Sequence, residues 1–98
     1  MINRIVRMSF HPEKIEDFLQ VFNNSKEHIA AFSGCNSLSL MRDASYENVF
    51  YTYSLWDSID ALENYRLSDL FKTTWAKTKI LFNEKPMAFS LEVFDKVR

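Results

Sequence analysis

The residues of this chain that could do chemistry are mostly aromatic. Trp56 closes an alternating run, Tyr65 follows it, and Phe71 and Trp75 lie four residues apart, on one face if the segment is helical. Together the four could wall a flat pocket, a common form of small-molecule site. Each indole also carries an N–H that wants a partner. Aromatics at helical spacing serve equally as plain core, and the residues alone leave both readings open. Other reactive groups are sparse. His11 precedes Pro12 at a strand end, and His28 lies beside Lys26 and Glu27; both read as solvated. No His, Cys and carboxylate cluster has metal-ligand spacing, and a single glycine cannot build a phosphate loop or a dinucleotide fingerprint. Ser37, Ser39, Ser54 and Ser90 lie on predicted strands without a nucleophile elbow. No metal and no cofactor are expected.

The elements that must position these residues follow from periodicity. Val6, Met8 and Phe10 alternate with Ile5, Arg7 and Ser9, the period of a strand. Pro12 suits a first helical turn, and Ile15, Phe18, Leu19, Phe22, Ile29 and Phe32 make one apolar stripe, so a helix is predicted over about 12–32. Gly34, the only glycine, sits where a left-handed terminator is wanted. Leu38, Leu40 and Arg42 mark a second strand. In the third, 49–56, Phe50, Thr52, Ser54 and Trp56 share one face, and Val49, Tyr51, Tyr53 and Leu55 share the other. A helix over Ile59, Leu62 and Tyr65 is expected to break near Ser68, which can cap a longer helix carrying Phe71, Thr74, Trp75, Thr78 and Phe82. Met87, Phe89, Leu91 and Val93 complete a fourth strand.

Two strand–helix–strand units in tandem predict an α+β domain of ferredoxin-like βαββαβ order. Its four-stranded antiparallel sheet carries both helices on one face. Residues 1–98 read as a single domain, with little Gly or Pro to mark a linker. The other sheet face would expose Ile5, Met41, Tyr51, Tyr53 and Leu55, more apolar surface than a monomer usually shows, so a homodimer through that face is expected. Arg7 and Glu92 are expected to pair across it. The net charge of -1, without a basic stripe, argues against nucleic acid. No apolar run approaches a membrane span or a signal peptide, and the lone Cys35 cannot form an internal disulfide, which together suggest a cytoplasmic protein.

The run Phe50-Tyr51-Thr52-Tyr53-Ser54-Leu55-Trp56-Asp57-Ser58, with Ala61-Leu62, Tyr65-Arg66, Ser68 and Phe71 after it, resembles the antibiotic biosynthesis monooxygenase domain. The opening Ile5 to Phe10 and the later Phe32 to Cys35 fit the same pattern. The resemblance implies a dimeric α+β barrel. It also implies, among other roles, a cofactor-independent oxygenase acting on a small aromatic, polyphenol or quinol, activated as its own anion. Trp56 matches the family's strand-closing tryptophan. Where some members carry an asparagine four residues earlier, this chain has Thr52. At the positions used by haem-degrading members it has Val6, Tyr65 and Trp75, which leaves no haem-iron ligand. On this reading Trp56 and Trp75 stack on the substrate, with Phe71 and Phe50 as further binding residues. Tyr65 hydrogen-bonds or helps move a proton, and Thr52 is a secondary polar contact. The alternatives are a non-catalytic binding or sensing dimer that uses the same pocket, and an interaction dimer whose aromatics are plain core.

Overall fold

A computed structural model describes residues 1–98. Its strands are β1 (Ile2–Ser9), β2 (Cys35–Arg42), β3 (Val49–Trp56) and β4 (Met87–Leu91), and its helices are α1 (Ile15–Ala30), α2 (Ile59–Arg66) and α3 (Asp69–Lys79). The sheet order is β2-β3-β1-β4, every pairing antiparallel. This is the predicted ferredoxin-like arrangement.

The long first helix is broken at its start. Pro12–Lys14 form a 3-10 turn, and Lys14, at φ -106° and ψ 2°, leaves helical geometry before α1 begins. Gly34 does have a left-handed backbone, with φ 88°, but it lies beyond the Ala31 cap, in the turn that enters β2. A Cβ there would sit 2.6 Å from the Ala61 Cβ, so this glycine lets α2 approach the turn closely. The break between α2 and α3 falls where Ser68 predicts it: Phe71 N donates to Ser68 Oγ at 3.1 Å. Ser58 caps α2 in the same way, accepting from Ala61 N at 3.1 Å.

Register separates the two faces. Ile2, Arg4, Val6 and Met8 stand opposite Trp56, Ser54, Thr52 and Phe50, and this row lies under the helices. Ile5 pairs with Tyr53 and Phe89, and Arg7 with Tyr51 and Met87, on the open side. Strand β4 stops at Leu91, opposite Asn3, close to the start of β1. The expected Arg7–Glu92 pair is therefore wrong: Glu92 lies beyond the strand, in the alternation of Ala88 and Ser90. Arg7 instead meets Glu84, with Nη2 3.5 Å from Oε1.

The core is split. Met8, Phe10, Phe18, Phe50 and Leu81 bury one end of the helix-covered face. Ile2, Trp56 and Leu62 bury the other. What lies between them is the feature of interest.

Candidate functional site

The inward row of β3 reads large, small, small, large: Phe50, Thr52, Ser54, Trp56. The facing positions on β4 are also small, Ala88 beside Val6 and Ser90 beside Arg4. Above them, the stripe of α1 drops to Ser25 between Phe22 and Ile29; Ser25 Oγ turns back to donate to Val21 O at 2.9 Å. The two ends of the sheet are thus packed by large rings, and its middle is not filled. A cavity of about 290 Å³, partly open to solvent, occupies that middle. It is roughly twice the ~150 Å³ of an engineered apolar cavity that holds benzene, so it suits a molecule of two fused rings.

The walls form a connected set of rings. Trp56 and Tyr65 stack at 4.8 Å and 23°. Tyr65 meets Phe71 edge-on at 5.3 Å, and Phe71 stacks on Trp75 at 5.8 Å and 11°. The break at Ser68 makes this possible, because it carries Tyr65 on the last turn of α2 and Phe71 on the first of α3. Tyr65, Phe71, Trp75, Thr52 and Trp56 all line the one cavity. Phe50 does not; it is packed with Phe10 and Phe18 in the other half of the core. Trp56 is fully buried, its indole N–H is held by Ser54 Oγ at 2.9 Å, and one of its faces is covered by Tyr65. It forms the back of the wall, and Tyr65 and Trp75 present the surface a ligand would meet.

Four polar tips in the lining have no hydrogen-bond partner in the chain: the Tyr65 hydroxyl, the Trp75 indole N–H and the Thr52 and Thr74 hydroxyls. No buried side-chain polar atom is left unpaired, so all four keep contact with accessible space. Burial, and then the nearby Cys35, push the Tyr65 phenol up to about 12. It therefore stays protonated at neutral pH and acts as a donor rather than a base. In the unfolded chain a tyrosine ionises near 10. Stability from this group is full below pH 10 and is lost as pH rises from about 10 to 12. We expect an alkaline loss of roughly 2–3 kcal/mol over that interval, absent in Tyr65→Phe. Urea unfolding at pH 9, 10.5 and 12 checks this, and parallel curves for the two proteins would contradict it.

The remaining sequence candidates lie elsewhere. His28 borders a separate polar groove between α1 and α3, and His11 is exposed at the start of the 3-10 turn. Burial pushes the Cys35 thiol up, and its S–H is turned to Ser37 O. Sequence reasoning passed over Arg4 and Arg66, which both line the cavity. A signal for Arg4 was present: it is the one charged residue in the inward row Ile2, Arg4, Val6, Met8.

A family model described as antibiotic biosynthesis monooxygenase matches residues 1–77. Among solved structures, an antibiotic biosynthesis monooxygenase superposes with a TM-score of 0.91 at 16% identity, covering 97% of this chain and 100% of its own. A Caulobacter crescentus protein has 25% identity and a TM-score of 0.88, covering 96% of this chain and 90% of its own. A conserved protein from Methanosarcina mazei has 16% identity and a TM-score of 0.88, with 92% and 89% covered. These likenesses carry the fold. No curated protein matches the chain in sequence.

Proposed function

We infer that the chain, which belongs to the antibiotic biosynthesis monooxygenase family, is a small cofactor-independent monooxygenase of phenolic or quinol-type aromatics. The observation that carries this reading is the cavity itself: a two-ring space with aromatic walls and unpaired donors at Tyr65 and Trp75. A domain of plain core function would fill that middle, since interiors normally pack without such voids.

The chemistry balances without an external reductant when the substrate supplies all four electrons. A phenol with a free para position and O₂ give a para-quinone and water: one oxygen atom enters the ring, and the other leaves with the two displaced hydrogens. The residues in hand serve binding and charge stabilisation. Trp75 and Tyr65 flank the ring, and the Tyr65 hydroxyl, the Trp75 N–H and the Thr52 hydroxyl hydrogen-bond substrate oxygens where negative charge develops.

A second reading, a binding or sensing module without turnover, is favoured by one specific observation: the lining holds no histidine and no carboxylate to act as base. Oxygen-electrode measurements with a panel of hydroxynaphthalenes decide between the two. Uptake of one O₂ per quinone formed supports the oxygenase. Saturable binding without uptake leaves the binding module. The protein works as a homodimer in either case, its open faces opposed. Met41, Met87, Phe89 and Leu91 are each nearly half exposed on that side, and a monomeric mass by light scattering at micromolar concentration would count against the pairing.

No helix is long and apolar enough to cross a membrane.

A further inference from the structure

The lining carries two cations and no carboxylate. Arg4 enters from near the start of β1, and Arg66 from the last turn of α2. Their situations differ. Arg66 Nη1 is paired with Glu63 Oε1 at 2.9 Å on the surface. Arg4 has no carboxylate within ion-pair distance; its one side-chain partner is the neutral Ser90 Oγ, 2.9 Å from Nη1. It is also half-buried, between strands whose inward rows are otherwise apolar or small. A guanidinium has five N–H donors in a planar fork, so most of those of Arg4 are left without a side-chain acceptor. Burial lowers its proton affinity first, the charge of Arg66 lowers it further, and Glu63 only opposes them. Two cations brought to one edge of an apolar cavity, one of them unpaired, form a place that an anion relieves.

We propose that Arg4, with Arg66 beside it and Ser90 fixing its fork, is the anion-binding corner of this cavity, and that its ligand is a two-ring aromatic carrying an oxyanion at one edge. The inference rests on the reading of the cavity as a small-molecule site, and it supplies what that reading lacks. With no base in the lining, a phenol can still ionise if cations stabilise its anion. A phenol near pKa 10 falls by roughly 1–3 units beside an arginine. Arg4 would then stabilise the ionised substrate while Tyr65 and Trp75 hold its ring.

The test compares two probes of one shape, 2-naphthoate and the uncharged 2-naphthamide, by calorimetry at pH 7 on the intact protein. The naphthoate is expected to bind about tenfold tighter or more. Arg4→Met should remove most of that preference while changing naphthamide binding by less than about twofold, and Arg4→Lys should restore part of it. If R4M does not fold by circular dichroism, Arg66→Gln at its exposed helix end takes its place, with the preference falling about threefold. Equal binding of the two probes overturns the anion corner and leaves the cavity standing. Binding of neither overturns both. A full preference retained in folded R4M or R66Q overturns the assignment to that arginine.

Discussion

Trp56→Ala is expected to lower the unfolding free energy by about 3–5 kcal/mol, a large part of what a domain of this size possesses. The indole is fully buried, stacks on Tyr65 at 4.8 Å and meets Phe32 edge-on at 6.4 Å. Its removal opens a void that merges with the existing cavity, so the surroundings have little to collapse onto. It also takes the donor from Ser54 Oγ and the support from Tyr65, whose ring is then free to turn. Trp56→Phe keeps a ring and loses the hydrogen bond, and should cost about 1–2 kcal/mol. Urea unfolding by circular dichroism measures both. A loss below about 1.5 kcal/mol for W56A would mean that this ring meets solvent or ligand, not the back of a packed wall.

Much of the architecture was legible because strand alternation and helical spacing both report which side of an element is covered. They do not report where along the element a side chain ends up. Phe50 and Trp56 share a face, as parity says, but six residues of strand separate them by roughly 20 Å, so they fall in opposite halves of the core. The cavity is written in the same run, in the smallness of Thr52 and Ser54 between those two rings. That signal becomes readable only when Ala88, Ser90 and Ser25 are known to face it, and this is tertiary information. Arg4 stands in the inward row by parity, yet a charged residue near the start of a strand reads as solvated until β4 is seen to flank it. The Arg7–Glu92 expectation failed for a related reason: the register of β4 against β1 sets Arg7 opposite Met87, five residues from Glu92, and Glu92 has the parity of Ala88 and Ser90 on the other face. The raised Tyr65 pKa comes from burial first and then from Cys35, which the fold brings near, and no local pattern encodes either.

Thr52→Phe should have the opposite signature to Trp56→Ala. Thr52 stands at the middle of the cavity floor, between Val6 and Leu40 on the neighbouring strands, and its hydroxyl holds no side-chain or backbone partner in the chain. A phenyl ring there suits a strand and projects into empty space. In a filled core such an enlargement costs about 1–3 kcal/mol; here it buries apolar surface where no packed atoms stand in the way. Stability is expected to remain within about 1 kcal/mol of the parent, while 2-naphthoate affinity and any oxygen uptake fall by at least about tenfold, or 1.4 kcal/mol. Thr52→Val, which keeps the volume and removes the hydroxyl, separates the polar contact from the space and should reduce uptake far less than the phenyl does. Calorimetry, the oxygen electrode and thermal unfolding on one set of variants distinguish the cases. Should T52F lose several kcal/mol and yet bind ligand as before, the space above Thr52 is not where the ligand sits. If instead it keeps its fold and loses the ligand while W56A loses its fold, the division of labour is set: Trp56 holds the wall in place, and the small residues of the floor hold open the room that any chemistry needs.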